Sequence, residues 1–392
     1  MFKEIDVEEF YEYLDNGSSI LDIRTSDELN YGEIENAINI PVDQWNTQGE
    51  NILTTEIEEI FSKNEISADR KIVVVCRRGI ASRDIAELLC DAGYDAVSLK
   101  GGYNAYMLSV VRNNSSNDIQ SKAEQSLHTD FKESILDNFV KAVDKYELIK
   151  DGDRVAVCIS GGKDSMLMAK LFQEYKKISN RDFDVEYLVM DPGYNEANRT
   201  IIEKNASSLG IPVHIYESDI FESVYTIEKS PCYLCARMRR GHLYTYAKEL
   251  GCNKISLGHH YDDVIETILM GMLYGAQIQT MMPKLHSTNF EGMELIRPLY
   301  LIREDDIKAW RDHNGLRFIQ CACKFTDTCT TCSEDGRSKS KRVEVKELIK
   351  RLKKTNPDVE NSIFSSVENV DIDNIIAYKF MGDRHRFTED NY

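Results

Sequence analysis

Short apolar strands alternate with helices in two separate series along the chain, and this alternation restricts the fold more than any other feature of the sequence. In residues 1–110, for example, an apolar strand at 72–76 precedes a helical pattern at 82–92. The second series begins with a helix over 131–148 and a strand at 154–159. Strands that are joined by helices pair in parallel. The alternation therefore predicts an α/β protein with a small parallel sheet followed by a doubly wound sheet.

The two series are separated by residues 111–130, which include a polar, Asn- and Ser-rich run without apolar period. Such a run is typical of a linker, and a length of 392 residues suits at least two domains. We therefore expect a first domain over 1–110, a linker over 111–130, a second domain over 131–370 and a C-terminal tail over 371–392. The predicted strands are at 20–23, 72–76, 96–99, 154–159, 185–190, 213–216 and 254–257.

Charge and cysteine content narrow the classes of function. The net charge of −18 argues against a surface that coats nucleic acid uniformly, but residues 337–354 carry 9 basic and 2 acidic side chains. That stretch could face phosphates or form a solvated amphipathic helix. The apolar runs are too short for a membrane span and the N-terminus is acidic, so we expect a cytoplasmic protein without a membrane partner. In that reducing compartment, 10 cysteines favour metal or sulfur chemistry over disulfides.

The strand at 72–76 delivers Cys76 into a short loop, CRRGIAS, and a helix begins where this loop ends. Such a loop turns backbone N–H groups inward and adds the positive end of the helix dipole, while Arg77 and Arg78 add charge. These features stabilise a thiolate or a persulfide anion, so we expect Cys76 to be a sulfur nucleophile. The alternative is a buried cysteine at a strand end.

Segments on both sides of this loop carry a family resemblance. LDIRTSDELNYGEIENAINIP (residues 21–41) precedes the loop and LKGGYNAY (99–106) follows it. With the loop, they resemble the rhodanese family over essentially all of residues 1–110. The resemblance implies a rhodanese-like sulfurtransferase domain in which Cys76 accepts sulfane sulfur, holds it as a persulfide and passes it on. A cysteine desulfurase or thiosulfate would be the sulfur donor.

The strand at 154–159 runs directly into the glycine-rich turn SGGKDS, which consists of Ser160, Gly161, Gly162, Lys163, Asp164 and Ser165. The glycines let the backbone approach a polyphosphate, the following helix N-terminus donates N–H groups, and Lys163 supplies a cation. The spacing is not that of a Walker A loop. SGGKDS instead resembles the PP-loop ATPases, which implies an adenine nucleotide alpha hydrolase-like domain that cleaves ATP between the α and β phosphates.

A second strand end carries SLGHHYDD (256–263) and opens a helix predicted over 264–274. Asp262 or Asp263 could coordinate Mg²⁺ together with the phosphates or assist proton transfer, since carboxylates at the crevice of the sheet suit an ATP site. The alternative is that Asp262 caps the helix.

The remaining cysteines fall into three groups. Cys232 and Cys235 form a CxxC motif at the head of a basic helix, which by itself fits zinc, redox or iron–sulfur chemistry. Four downstream cysteines could form a closed zinc site: Cys321, Cys323, Cys329 and Cys332. Three others lie in strong helix or strand patterns and are expected in the core: Cys90, Cys158 and Cys252.

The sequence around these cysteines also resembles a known family. CYLCARMRRGHLYTYAKELGCNKISLGHHYDD, MMPKL (281–285), IRPL (296–299) and FIQC (318–321), together with SGGKDS, closely resemble the tRNA 2-thiocytidine synthetase family over roughly residues 137–370. The resemblance implies a 4Fe–4S cluster with three thiolate ligands, which map to Cys232, Cys235 and Cys321. Cys323 or Cys329 is the alternative third ligand. Three protein ligands leave one iron open to a hydrosulfide.

Together, these resemblances imply an ATP-dependent tRNA sulfurtransferase that forms AMP and pyrophosphate. We expect ATP to adenylate C2 of a pyrimidine, with cytidine to 2-thiocytidine in the anticodon loop as the leading conversion, and sulfur to pass from a Cys76 persulfide through the cluster. Arg237, Arg239, Arg240 and residues 337–354 are candidates for contacts with tRNA phosphates. The alternatives are a PP-loop thiolase that acts on uridine or a small metabolite, and a non-enzymatic metal–sulfur sensing module. A homodimer is among the expected assemblies.

Overall fold

A computed structural model describes residues 3–30, 32–45, 54–67, 69–113, 116–218, 220, 231–319, 341–380 and 382–388. The first sheet has five strands in the order β1-β5-β4-β2-β3, and all its neighbouring strands are parallel. Its strands are β1 Lys3–Ile5, β2 Ser19–Asp22, β3 Ile38–Asn39, β4 Ile72–Val75 and β5 Ala96–Leu99. Its helices are α1 Val7–Asp15, α2 Ser26–Leu29, α3 Thr54–Lys63, α4 Ala81–Asp91 and α5 Gly102–Asn113.

The second sheet has six strands in the order β10-β11-β9-β6-β7-β8, and only the β10–β11 pair is antiparallel among them. Its strands are β6 Arg154–Ile159, β7 Asp184–Asp191, β8 Val213–Glu217, β9 Lys254–Ser256, β10 Lys284–His286 and β11 Glu294–Ile296. The helices around it are α6 Ser116–His128, α7 Asp137–Lys145, α8 Lys163–Ile178, α9 Glu196–Ser208, α10 Pro231–Glu249, α11 Tyr261–Gly275, α12 Glu304–His313, α13 Lys341–Lys353 and α14 Val359–Ser366. The predicted fold class, with a small parallel sheet and a doubly wound one, is confirmed.

Strand order places the candidate site. β6 lies between β9 on one side and β7 on the other, so the chain direction across the sheet reverses at the β6–β9 pair. Ligands of doubly wound sheets bind in the crevice at such a switch point, beyond the carboxyl ends of the strands. SGGKDS follows β6 and GHHYDD follows β9, and the two motifs therefore meet at this crevice.

All seven predicted strands are present within a residue or two, and most of them are largely buried, whereas β8, at the edge of the second sheet, is only half-buried. Every residue of β4, for example, is fully buried. The strands that the sequence pattern misses in the two sheets have only two or three residues each, which is too short for a period to show.

The segment 111–130, predicted as a polar linker, is helical over much of its length. Residues 116–128 form helix α6, in which Ala123 and Leu127 are completely buried. Glu124 of the same helix accepts a 2.5 Å hydrogen bond from Lys170 of α8. Two buried apolar side chains in a polar helix are too few to produce a sequence pattern, and tertiary packing stabilises the helix instead.

Two other segments differ in detail from the prediction. The helix predicted over 131–148 is a π-helical turn, Lys132–Leu136, followed by α7. The predicted C-terminal tail contains a 3₁₀ turn and the hairpin of β12 Ala377–Phe380 and β13 Asp383–Arg386. None of the helices within the described residues is both long and apolar enough to cross a membrane.

The largest hydrophobic cluster crosses the boundary between the two sheets. It contains Val75 and Tyr103 from the first sheet and its helices, and Ile159, Ile202 and Phe318 from the second part of the chain. All of these side chains are buried. The two halves of the molecule therefore share one core.

Candidate functional site

Cys76 lies directly after β4, in the loop that leads to α4. Its side chain is buried, and its Sγ accepts a hydrogen bond from the backbone N–H of Gly79 at 3.1 Å. The thiol in turn donates to the Ser82 hydroxyl at 3.3 Å, a group that can reverse its role and donate to a thiolate. Donors that converge on one sulfur atom favour negative charge there, as a persulfide carrier requires.

The GGYNAY segment packs against the backbone of this loop. Gly102 has a φ of +57°, and a Cβ atom at this position would lie 2.2 Å from the Cys76 carbonyl oxygen. The N–H groups at the start of α5 complete the contact, because Tyr103 donates to the Cys76 carbonyl at 2.9 Å and Asn104 donates to that of Arg77 at 3.1 Å. The GGYNAY segment, which is part of the family resemblance, therefore supports the backbone of the Cys76 loop.

A buried ion pair near this loop was not singled out from the sequence. Arg24 donates to Asp22 at 2.6 Å, and both side chains are almost completely buried. The Arg24 guanidinium also lies 3.7 Å from the centre of the Tyr103 ring. The only sequence signal was the DIR tripeptide, which local periodicity cannot distinguish from an ordinary strand end.

In the Cys76 loop itself, the buried Nε–H of Arg77 has no hydrogen-bond partner among the described residues.

The glycine-rich turn closes on itself at the N-terminus of α8. Gly161 has a φ of +86°, and a Cβ atom there would lie 2.6 Å from Ile202 and 2.7 Å from Ile319. The Ser165 hydroxyl accepts from the Ser160 N–H at 3.1 Å and donates to the Gly162 carbonyl at 3.0 Å. The first N–H groups of a 16-residue helix consequently face the crevice, which suits a phosphate group.

Lys163 pairs with two carboxylates, of which the sequence analysis predicted only one. Its Nζ lies 3.0 Å from Asp164 and 3.2 Å from Glu304. Burial tends to raise the pKa of Glu304, but Lys163, Lys346 and Lys308 outweigh burial and hold this pKa well below its usual range. Glu304 is a site residue without a local signal, because it reaches the crevice from α12.

Asp262 and Asp263 both lie in the first turn of α11, but they have different partners. Asp262 accepts from Arg303 at 2.9 Å and from the Glu304 N–H at 2.7 Å. Asp263 pairs with Arg342 of α13. Burial opposes ionisation of Asp263, yet the charges of His260 and Arg342 outweigh it and lower the pKa of this carboxyl. Asp262 is thus engaged in the protein's own ion pairs.

His260 brings the two motifs together. Its Nε2 lies 3.8 Å from Asp164 of the glycine-rich turn and 3.5 Å from Asp263. Close backbone approach accompanies this contact, since a Cβ atom on Gly258 would lie 3.2 Å from Asp164 and Ser165. His260 Nδ1 also lies 3.8 Å from Asp262, so one imidazole lies between the phosphate loop and both carboxylates predicted at this strand end.

The alternative that Asp262 caps α11 is wrong. The N-cap residue is His260, whose Nδ1 accepts from the Asp263 N–H at 3.4 Å, while the Asp263 carboxylate accepts from the His260 N–H at 3.2 Å. Within the described part of the chain, no three His, Cys, Asp or Glu side chains are arranged to hold a metal ion.

The CxxC motif lies in the first turn of α10, at Cys232 and Cys235. Positions three residues apart share one face of a helix, and the positive end of the helix dipole favours thiolates there. These positions and the sulfur donors of this motif suit a metal–sulfur cluster. The side chains of both residues, and all of Cys321, Cys323, Cys329 and Cys332, lie outside the described residues.

The three cysteines expected in the core differ slightly in burial. Cys158 and Cys252 lie in one apolar cluster, where burial raises their pKa values to about 12 and about 11. Thiols with such pKa values are poor nucleophiles at neutral pH, which agrees with a packing role. Cys90 is half-buried, and its thiol donates to the Ala96 carbonyl at 3.3 Å.

The basic residues predicted to contact phosphates divide into exposed and internally paired groups. On α10, Arg237 and Arg240 are exposed, whereas Arg239 donates to the Tyr194 hydroxyl at 3.3 Å. On α13, three side chains reach carboxylates of the protein: Arg342 with Asp263, Lys346 with Glu304, and Lys353 with Glu360. Lys350, Arg351 and Lys354 are exposed.

Comparisons with known proteins match both halves of the chain. A family model described as a PP-loop domain matches residues 128–325, and a rhodanese-like domain model matches residues 6–109. A tRNA-cytidine(32) 2-sulfurtransferase from Pelobacter propionicus is 33% identical over 246 residues, which cover 62% of this chain and 87% of that protein. The protein of that name from Aliivibrio salmonicida is 36% identical over 253 residues, with 64% and 79% covered. A solved structure, the U34-tRNA thiolase NcsA from Methanococcus maripaludis with its 4Fe–4S cluster, is 24% identical, with 59% of this chain and 76% of that chain covered and a TM-score of 0.46.

Proposed function

The chain belongs to the PP-loop family of the tRNA-cytidine(32) 2-sulfurtransferases, and from this premise we propose that it converts cytidine 32 of tRNA to 2-thiocytidine at the expense of ATP. The observation that carries the proposal is the meeting of SGGKDS and GHHYDD at the switch point of the second sheet, linked by His260. The same molecule holds Cys76 at the end of β4, where its sulfur accepts a hydrogen bond from the Gly79 N–H. As part of this proposal, the domain limits are 1–110 and 131–370.

The ATP step uses the glycine-rich turn. The N–H groups at the start of α8 bind the phosphates, and Lys163 exchanges its carboxylate partners for phosphate oxygens. The C2 oxygen of the base attacks the α-phosphorus, and pyrophosphate leaves. This converts a poor leaving group into AMP, which sulfur can displace. Asp263 and Asp164 are the carboxylates we propose for Mg²⁺, because both lie beside His260 Nε2. Their partners Arg342 and Lys163 would turn to the phosphates.

Sulfur reaches the base from a Cys76 persulfide. The terminal sulfur of a persulfide is two electrons more oxidised than the sulfur of 2-thiocytidine, so each turnover also consumes one dithiol reductant, which leaves as a disulfide. The base oxygen leaves in AMP. We propose a cysteine desulfurase or thiosulfate as the source of the sulfane sulfur.

The CxxC thiolates support an iron–sulfur cofactor. We propose that Cys232, Cys235 and a third thiolate from Cys321, Cys323 or Cys329 bind a 4Fe–4S cluster. When bound, the cluster would supply an iron site with affinity for sulfur. Iron, acid-labile sulfide and zinc measured on anaerobically purified wild type and on the Cys321, Cys323 and Cys329 variants would test the ligand set.

The exposed basic side chains of α10 and α13 bind the phosphates of the tRNA. The target base must unstack from its neighbours to reach the crevice. A tRNA substrate places the proposed activity in the cytoplasm, and a homodimer remains part of the proposal.

Thionucleoside analysis tests the function directly. Purified protein with ATP, thiosulfate, a dithiol and unmodified tRNA should form 2-thiocytidine together with equal amounts of AMP and pyrophosphate. Lys163→Ala should abolish both products of ATP cleavage. Formation of 2-thiouridine, or ATP cleavage without any tRNA product, would refute the proposal in favour of a different acceptor.

A further inference from the structure

The residues just before the downstream cysteines connect the two candidate sites through direct packing. Arg317 lies against Gly32 of the first domain, and a Cβ atom on Gly32 would be 3.1 Å from the Arg317 side chain and 2.4 Å from the Tyr103 hydroxyl. Gly32 has a φ of +124°, which a side chain would strain further. The absence of a side chain at Gly32 therefore permits the approach of Arg317.

Tyr103 continues this contact to the sulfur loop. Its ring and hydroxyl are buried, and its backbone N–H donates to the Cys76 carbonyl at 2.9 Å. The Arg24 guanidinium covers the ring at 3.7 Å and donates to the Gly32 carbonyl at 3.1 Å. A displacement of Tyr103 would therefore also shift the backbone of Cys76.

On the other side, the same segment packs against the phosphate loop. Ile319 is buried, and a Cβ atom on Gly161 would lie 2.7 Å from its Cδ1. The backbone between these contacts is anchored, since the Arg317 carbonyl accepts from Asn205 of α9 at 2.8 Å. We call residues 316–319, with Gly32 and Tyr103, the domain seam.

The described part of the chain that joins the domains is packed against the second domain. Its helix α6 buries Ala123 and Leu127, and Glu124 binds the completely buried Lys170. A second contact across the domains comes from Arg311, which is buried and donates to the Asn30 carbonyl. Sulfur delivery by diffusion of a flexibly attached domain does not fit these contacts.

We propose that Arg317 is a positioning residue, which holds the Cys76 loop in one fixed orientation relative to the ATP site through the domain seam. The inference rests on the proposed function. Transfer then occurs between docked domains, whose orientation is worth far more than the millimolar effective concentration of a flexible tether.

Two seam variants test this proposal by different routes. Arg317→Ala removes the contact, and Gly32→Val inserts a side chain into it. Arg181→Ala is the matched control, because Arg181, like Arg317, is a partly exposed arginine that pairs with an aspartate, at 2.8 Å for Asp144 and 3.7 Å for Asp312, but Arg181 lies outside the seam. Three activities are compared: thiosulfate-to-cyanide sulfur transfer by Cys76, tRNA thiolation driven by inorganic sulfide, and single-turnover tRNA thiolation from ³⁵S-persulfide on Cys76.

For Arg317→Ala we expect the first two activities to stay within twofold of wild type, and the third to fall at least tenfold. Transfer from Cys76 at the wild-type rate in both seam variants would overturn the proposal. Equal loss of sulfide-driven and persulfide-driven thiolation in Arg317→Ala would also overturn it, since the residue would then support the ATP site itself. If wild type makes no 2-thiocytidine from sulfide, the proposed function fails instead, which keeps the two failures distinguishable.

Discussion

At the scale of single residues, the two reactive loops depend on glycines at which neighbouring atoms leave no room for a Cβ atom. A Cβ atom on Gly102 would meet the Cys76 backbone, and one on Gly161, within the phosphate loop, would meet the side chains of Ile202 and Ile319. At both positions φ is positive, so a side chain adds backbone strain to the steric clash. The chemistry of each loop is therefore sensitive to residues that carry no functional group.

Gly102→Ala should reduce loading of Cys76. The new Cβ atom would lie 2.2 Å from the Cys76 carbonyl oxygen, so the loop must move. We expect thiosulfate-to-cyanide sulfur transfer to fall at least tenfold, with a loss of about 1–3 kcal/mol in stability. The matched control is Gly93→Ala, where φ is +93° but no atom lies within 4 Å of the added Cβ. Equal activity losses in both variants would show that strain alone, without contact, is responsible.

Glu266 predicts a pH dependence of stability. Burial raises the pKa of this carboxyl to about 7, above its ordinary 4.5. The folded state consequently binds more protons than the unfolded state between these values, and stability falls as pH rises through the window. Glu266→Gln lacks this proton, so its stability relative to wild type should increase by about 2–3 kcal/mol from pH 5 to pH 8. Urea denaturation at both pH values measures this, with the exposed Glu87→Gln as control. A difference that does not change with pH would contradict the prediction.

At the scale of elements, α6 and α13 show how a polar or basic segment becomes an ordered helix. α6 is anchored by two buried apolar side chains and one buried lysine. α13 buries Val345 and Ile349 and directs Arg342 and Lys346 to carboxylates of the crevice. Its outer face stays basic. One helix thus serves both the ATP site and the surface that we propose for tRNA.

Leu127→Ala tests whether α6 is a structural helix. Leu127 is completely buried, so its truncation should leave a cavity and lower the free energy of unfolding by about 2–4 kcal/mol. The exposed Gln125→Ala in the same helix should change it by less than about 0.5 kcal/mol. Equal, negligible effects of both substitutions in urea denaturation would mean that the segment is a flexible linker after all.

Substitutions on the two faces of α13 should have different effects, one on tRNA binding and the other on the KM for ATP. Lys350→Ala combined with Arg351→Ala removes two exposed charges, and we expect the slope of log affinity for tRNA against log salt to decrease by about 1.4–1.8. Lys346→Ala should instead raise the KM for ATP, because its partner Glu304 also binds Lys163. Filter binding from 50 to 200 mM salt and steady-state kinetics measure the two effects. An unchanged salt slope in the double variant would remove the outer face from the tRNA surface.

At the scale of the whole molecule, one hydrophobic cluster joins the two domains, and the seam of Gly32, Tyr103 and residues 316–319 packs between them. Domains that share a core lose their packing together. The molecule should accordingly behave as one cooperative unit, although its sequence divides cleanly into two series of strands and helices.

The two tryptophans of the chain make this testable. Trp45 is buried in the first domain and Trp310 in the second, and there are no others. In the single-tryptophan variants Trp45→Phe and Trp310→Phe, fluorescence should report coincident transitions in urea, within the stability change that each substitution causes. Circular dichroism of each variant provides the matched global probe. A fluorescence midpoint that departs from the circular dichroism midpoint of the same variant would show independent domains.

The sequence by itself determined the features that depend on neighbours along the chain: the seven strands, the parallel α/β class, the glycine-rich turn at 160–165 and the loop that carries Cys76. Periodicity and turn chemistry are local properties, which is why they can be read without coordinates. Only the tertiary structure decided that His260 caps α11, that Glu304 and Arg342 enter the crevice, and that Arg317 meets Gly32. These contacts join residues from distant parts of the chain, and their free energy comes from burial and charge pairing that exist only after the domains have packed.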